Sequence, residues 1–151
     1  MIKIDVFIKE KKWKKHISNP KKYLENKINN IKFPIKLIKK KNVNFSVLLA
    51  GNHEIKILNN KFRKKNKTTD VLSFPFYKKE QIKKIKNKKS IYIGDIILNY
   101  YKKSKTNFKR DFNELWIHGF LHLLGHKHYY QKDFNKMNKL ENLILKEVEK
   151  H

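Results

Sequence analysis

The stretch HGFLHLLGHKH, residues 118–128, holds four of the seven histidines of the chain. His118 and His122 are four residues apart on a predicted helix, so their side chains lie on one face, about 40° apart around the axis. Gly125 is expected to end this helix in the left-handed conformation and to turn the chain back. His128 then completes the spacing H-x3-H-x5-H, which brings three imidazoles toward one point.

Three histidines at this spacing predict a metal site. Neutral imidazole is the usual nitrogen ligand of Zn²⁺, and three such ligands leave the fourth tetrahedral position open for water, as in catalytic sites. His126 is a second candidate for the third ligand, but a residue directly after the glycine turn has little room to swing back. The competing interpretation is surface histidines near a helix end, where positive charge is favourable. We therefore predict one zinc ion at His118, His122 and His128.

Zincin metalloproteases share the helical H-x3-H pair. They carry a glutamate directly after the first histidine as general base. Gly119 occupies that position here, which argues against a peptidase mechanism.

Lysine dominates the composition. The 151 residues carry 38 Lys and Arg against 13 Asp and Glu, a formal net charge of +25, which predicts attraction to polyanions such as nucleic acid. Only two of these residues are arginines, so drift in coding composition is an alternative source of part of the charge. Cysteine is absent, which excludes disulfides and thiolate ligands. We expect a cytoplasmic protein without membrane contact, because no apolar run approaches about 20 residues and the start lacks a signal-peptide layout.

Hydrophobic periodicity predicts four strands, at residues 2–8, 44–50, 71–76 and 91–98. Helices are predicted at residues 20–31, 53–60, 99–104 and 111–124, and from about 133 to 148, where the last would bury Phe134, Met137, Leu140, Ile144 and Val148. Pro75 places its strand at an edge or a bulge, and the lysine-rich residues 78–89 are predicted to be a loop. Strands and helices without regular βαβ alternation predict a single α+β domain over residues 1–151.

The histidine segment resembles the motif H-G-x-L-H-L-x-G-Y-D-H of the YbeY family, the endoribonuclease also called rRNA maturation factor. Two further blocks and one strand resemble the same family: LNNKFR at residues 58–63, TDVLSFP at 69–75, and Gly94-Asp95-Ile96. The chain departs from the family at His126 and Lys127, which replace Tyr and Asp, and at Phe62, which replaces Tyr. The aspartate that could support the metal from position 127 is therefore missing.

The resemblance implies a small mixed sheet, four-stranded here, with helices around a metal cleft. It also implies a metal-dependent endoribonuclease that is specific for single-stranded RNA and acts in 16S rRNA 3′-end maturation and ribosome quality control. The expected partners are the rRNA of the small ribosomal subunit and ribosome-associated proteins. The alternative is a non-catalytic, RNA-binding ribosome-assembly factor with a structural zinc ion, and a weaker third is hydrolysis of a small phosphoester.

Arg63 matches an arginine of the family. Its planar fork of donors is suited to hold a substrate phosphate, while zinc activates a water or acts as Lewis acid; the alternative is a surface residue at a helix end. Asp70 can either support the site or cap a turn before its strand. Asp95 can either support the metal site or simply lie at the end of a strand. Phe74, Phe76 and Trp116 can stack on bases or fill the core, and for Trp116 we favour the core. No residue is identified as the general base.

Overall fold

The four strands form one sheet in the order β1-β2-β4-β3. β1, β2 and β4 are parallel, and β3 pairs antiparallel with β4. The strands are β1 (Ile2–Ile8), β2 (Val43–Ala50), β3 (Val71–Pro75) and β4 (Ile91–Asn99). This computed structural model describes residues 1–31, 38, 41–85, 90–100 and 107–151. The predicted α+β class and the mixed four-stranded sheet are confirmed.

Five helices surround the sheet: α1 (Pro20–Asn29), α2 (Asn52–Arg63), α3 (Lys79–Lys84), α4 (Phe108–Leu123) and α5 (Gln131–Lys150). A 3₁₀ turn at Lys11–Lys15, which the periodicity did not predict, buries Trp13. Within the described ranges, no helix is both long and apolar enough to cross a membrane.

Two predicted segments differ from the structure or lie outside it. The loop prediction for residues 78–89 is wrong at α3, where Ile82 is fully buried and the Gln81 side chain accepts a hydrogen bond from the Lys78 backbone N–H at 2.7 Å. A single buried isoleucine among lysines is too weak a pattern to predict a helix. Asn99 ends β4, and most of the helix predicted at 99–104 lies outside the described residues, as do residues 86–89.

Side chains of α1 occupy backbone groups at the β1 edge of the sheet. Asn29 pairs with the N–H and the carbonyl oxygen of Ile2 at 2.9 and 3.0 Å, and Glu25 accepts from the Ile4 N–H at 3.1 Å. The opposite edge is β3, so the edge position predicted from Pro75 is confirmed.

The two faces of the sheet carry different helices. The larger hydrophobic cluster joins the β4 residue Ile96 with Trp116 and Phe120 of α4. The smaller cluster joins Ile97 with Ile55 of α2. Because neighbouring strand residues point to opposite faces, α4 and α2 lie on opposite sides of the sheet. The histidine helix and the helix that ends at Arg63 thus lie on opposite faces of the sheet.

Two glycines allow α4 and β3 to approach β4 closely. A Cβ atom on Gly119 would lie 2.8 Å from Ile96 Cγ2, so the backbone of α4 rests directly on the sheet. Gly94 has a φ of +142°, and a Cβ there would lie 2.3 Å from the carbonyl oxygen of Phe74 and 2.8 Å from Leu123 Cδ2. The packing of the histidine helix therefore depends on the absence of side chains at both positions.

We expect Gly94→Ala to lower the free energy of unfolding by about 2–4 kcal/mol, because the new methyl group adds a backbone clash to an unfavourable φ. Urea unfolding followed by tryptophan fluorescence measures the loss. Gly51→Ala is the matched control: its φ is −116°, and its Cβ would meet a movable Glu10 carboxylate oxygen at 3.2 Å. That control should lose about 1 kcal/mol or less. Equal unfolding midpoints for the two variants would contradict the close approach at Gly94.

Candidate metal centre

Helix α4 places His118 and His122 side by side, as their spacing predicts. Their Nε2 atoms lie 3.1 Å apart. The His128 ring centre lies 5.7 Å from that of His118 and 4.9 Å from that of His122. One nitrogen from each of the three rings falls within 4.8 Å of the others. The structure therefore brings the three predicted metal-site residues together.

The chain reverses after α4 through a glycine turn. Gly125 has a φ of +93°, and its N–H donates to the His122 carbonyl oxygen at 3.0 Å. The N–H of His126 reaches back to the Leu121 carbonyl oxygen, also at 3.0 Å. This pair of bonds is a Schellman motif, which satisfies the last carbonyl groups of a helix. The turn directs the chain so that His128 returns over the histidine face of α4.

His126 acts through its backbone. Its carbonyl oxygen accepts a hydrogen bond from His122 Nδ1 at 2.8 Å, while its side chain lies outside the group of three. Burial, and then the charges of Lys79 and Lys136, lower the pKa of the His126 imidazole. This residue was the alternative third ligand, and its observed contact orients His122 instead.

Glu141 of α5 is a site residue that the sequence did not reveal. Its carboxylate accepts a hydrogen bond from His118 Nδ1, as carboxylates do behind metal-binding histidines. The sequence held one signal: Glu141 follows Met137 by four residues and precedes Val148 by seven, which is helical spacing on a buried stripe. A carboxylate on such a stripe requires a polar partner.

These contacts fix the tautomers of the histidine pair. A carbonyl or carboxylate oxygen only accepts, so the Nδ1 atoms of His118 and His122 must both carry hydrogens. In the neutral rings, both Nε2 atoms then present lone pairs to each other. A proton on one ring or a metal ion between the rings is required to relieve their repulsion.

The donor set fits zinc. Two nitrogens bound tetrahedrally at about 2.0–2.1 Å lie about 3.4 Å apart, close to the observed 3.1 Å. Burial, followed by the charge of His118, lowers the pKa of His122 to about 4, so this ring is neutral at pH 7 and its Nε2 lone pair is available. His128 is exposed, so the cluster is open to solvent on that side.

Arg63 ends α2 and binds the edge strand. Its Nη2 donates to the Ser73 carbonyl oxygen at 3.3 Å, and its guanidinium lies 5.9 Å from the ring centre of Phe74. The Ser73 hydroxyl in turn donates to the Gly119 carbonyl oxygen at 3.3 Å. Two hydrogen bonds around β3 thus link Arg63 to the residue that follows His118.

The other candidate residues separate into structural and exposed ones. Trp116 is buried, and its indole N–H donates to Asn113 Oδ1 at 2.9 Å, so the core assignment is confirmed. Asp95 accepts from the Tyr92 hydroxyl on the sheet, which assigns it to the strand. The Asp70 carbonyl oxygen accepts from the Asn99 N–H at 2.9 Å. Phe76 is exposed and packs edge-on against Tyr92.

Comparison with known proteins agrees with the motif resemblance. A family model described as endoribonuclease YbeY matches residues 7–149. A Pelagibacter ubique protein named endoribonuclease YbeY is 45% identical over 152 residues, which covers 97% of this chain and 95% of the relative. An Ehrlichia canis protein of the same name is 32% identical over 151 residues, with coverages of 96% and 91%.

A solution structure of a Thermotoga maritima protein has a similar fold. It superimposes with a TM-score of 0.59 at 27% sequence identity, and covers 98% of this chain and 89% of that chain. The family match at residues 7–149 includes β2, β3 and β4, the histidine cluster, Arg63 and Glu141. The chain therefore belongs to the endoribonuclease YbeY family.

Proposed function

We propose that the chain is a zinc-dependent endoribonuclease that cleaves single-stranded RNA. The single observation that carries this proposal is the convergence of three imidazoles at the open end of α4, in a chain whose family is one of endoribonucleases. We further propose the small-subunit rRNA as substrate, in 16S rRNA 3′-end maturation within the cytoplasm. Residues 1–151 would act as one domain, because the histidine helix and Arg63 both attach to the same edge strand.

His118, His122 and His128 would hold the ion. The two helical histidines would use their Nε2 atoms, since their Nδ1 atoms donate to Glu141 and to the residue 126 carbonyl oxygen. When bound, zinc supplies Lewis acidity toward a phosphoryl oxygen and lowers the pKa of a water molecule. Three protein ligands with one exposed side favour this use over a structural zinc ion, whose coordination shell is normally closed by four protein ligands.

Arg63 would hold the scissile phosphate. A guanidinium carries five N–H donors, so the bond to Ser73 leaves donors for two phosphate oxygens. Ring contact with Phe74 holds the plane of the guanidinium in place. The same fork can stabilise negative charge that develops on the phosphate in the transition state.

We expect His122→Ala and His128→Ala each to lower zinc affinity by more than about 100-fold and to abolish cleavage of a single-stranded rRNA fragment. Competition with a chromogenic chelator measures the affinity. His126→Ala is the matched control, because it keeps the backbone carbonyl that binds His122. A larger zinc loss in His126→Ala than in His128→Ala would assign the third ligand to residue 126.

The same preparations separate catalysis from a purely structural zinc ion. Zinc-loaded wild type should cleave the fragment, and chelation should stop cleavage while RNA binding persists. Undiminished cleavage after complete zinc removal would overturn the proposed function. Zinc-loaded, folded protein that binds the fragment without cleaving it would favour the ribosome-assembly factor.

We expect Glu141→Gln to weaken zinc binding by about 10–100-fold, because the amide supports the imidazole of His118 less strongly than a carboxylate does. The control is Glu114→Gln, which removes a carboxylate that lies 3.5 Å from Arg110 on the exposed side of α4. Zinc competition and circular dichroism on both variants separate metal affinity from folding. Equal zinc affinity in the two variants would exclude a supporting role for Glu141.

We expect Arg63→Lys to lower kcat/KM for RNA cleavage by about 100–1000-fold while zinc content stays unchanged, because a lysine cannot grip two phosphate oxygens. The other arginine supplies the control: Arg110 pairs with Glu149 at 3.0 Å, and Arg110→Lys should change kcat/KM less than about twofold. Similar rates for both variants would remove Arg63 from the reaction.

A further inference from the structure

Two tyrosines follow the third histidine of the cluster and point into solvent. Tyr129 and Tyr130 are 81% and 75% exposed, more than any other aromatic side chain in the described ranges. The ring centre of Tyr129 lies 6.4 Å from that of His128. A ligand bound at the histidine cluster would therefore have the ring of Tyr129 beside it.

Phe134 extends this surface. The periodicity of the last helix predicted that Phe134 is buried, but it is 51% exposed, so that prediction is wrong. Phe134 lies in the first turn of α5, and its N–H donates to the Tyr130 carbonyl oxygen at 2.9 Å. We call Tyr129, Tyr130 and Phe134 the aromatic rim. These three exposed aromatic side chains lie within six residues of one another, and aromatic side chains are enriched at binding surfaces.

Four lysines lie close to the aromatic rim along the chain or at the glycine turn before it. Lys127, Lys132 and Lys136 are exposed and lie within a few residues of it along the chain. Lys79 of α3 packs against the glycine turn so closely that a Cβ atom placed on Gly125 would lie 2.7 Å from the Cβ of Lys79. Exposed aromatic rings together with lysines suit a single-stranded nucleic acid. The rings can stack on unpaired bases, and the lysines can bind the phosphate backbone.

We propose that the aromatic rim stacks unpaired bases of the RNA strand that enters the metal centre, and that it thereby sets the preference for single-stranded RNA. Bases within a duplex are already stacked and paired, so their faces cannot contact the tyrosine rings. This inference rests on the proposed function for its ligand. It assigns to Tyr129 and Tyr130 a binding role that is separate from metal binding.

The test compares three ligands on zinc-loaded protein: a ten-nucleotide single-stranded RNA, a duplex of the same sequence, and an abasic oligomer of equal length. Fluorescence anisotropy at low temperature, before cleavage proceeds, gives the dissociation constants. We expect the double variant Tyr129→Ala/Tyr130→Ala to bind the single strand about 10–100-fold more weakly. Its affinities for the duplex and the abasic oligomer, and the salt dependence of binding, should equal those of wild type, because phosphate contacts remain.

Two controls accompany the double variant. Tyr129→Phe/Tyr130→Phe keeps both rings and should bind the single strand within about threefold of wild type. Phe7→Ala removes an aromatic side chain that is 59% exposed on β1, far along the chain from the cluster, and should leave all three affinities unchanged. The zinc content of each variant should equal that of wild type. Equal zinc content would show that the turn that carries His128 is intact.

Each outcome bears on one claim. The stacking proposal is overturned if the alanine variant binds the single strand as tightly as wild type does. It is also overturned if the variant loses equal affinity for the single strand and the abasic oligomer. In either case the aromatic rim would instead bind a protein partner. RNA cleavage that persists alongside such a result leaves the proposed function standing. Tyrosine-dependent binding without cleavage by the wild type supports stacking and overturns the proposed function.

Discussion

The opposed Nε2 atoms of His118 and His122 are the contact on which the metal centre depends. Two lone pairs 3.1 Å apart repel each other unless a proton or a metal ion lies between them. The Glu141 carboxylate and the residue 126 carbonyl oxygen lie behind the two rings and prevent either ring from turning round. Burial keeps the pKa of His122 at about 4, so this ring does not take up the relieving proton at neutral pH. A metal ion between the rings relieves the repulsion without protonation of the partly buried His122.

Three elements must pack correctly to hold that point. Helix α4 supplies two rings, the glycine turn supplies His128 and a carbonyl oxygen, and α5 supplies Glu141. Helix α4 is fixed in turn by its close contact with β4, and α5 by the burial of Met137, Ile144 and Val148. Metal affinity is therefore a property of tertiary packing as well as of the H-x3-H-x5-H spacing. Loosening α5 would release Glu141 while the histidine spacing stayed the same.

Sequence patterns correctly predicted the features of the fold and of the site that depend on local backbone geometry. The strands follow from period-two alternation, and the pairing of His118 with His122 follows from helical geometry. The turn at Gly125 also depends on a conformation that glycine adopts readily. The sequence patterns did not predict Glu141 as a site residue, the exposure of Phe134 or helix α3. Each of these features depends on which other part of the protein packs against the residues concerned. Periodicity identifies a helix face, but it does not show whether that face meets the core, a histidine or solvent.

Position 119 shows why this histidine pair cannot support zincin chemistry. A Cβ at this position would lie 2.8 Å from Ile96 Cγ2 and 3.2 Å from Ser73 Oγ, so the residue faces the sheet and not the cluster. A glutamate there would force α4 away from β4 and would break the bond between Ser73 and the Gly119 carbonyl oxygen. The close packing that links Arg63 to the histidine helix thus requires a glycine where a zincin has its general base. The exposed His128 leaves the cluster open to solvent, so a group that activates a nucleophile would approach from that side.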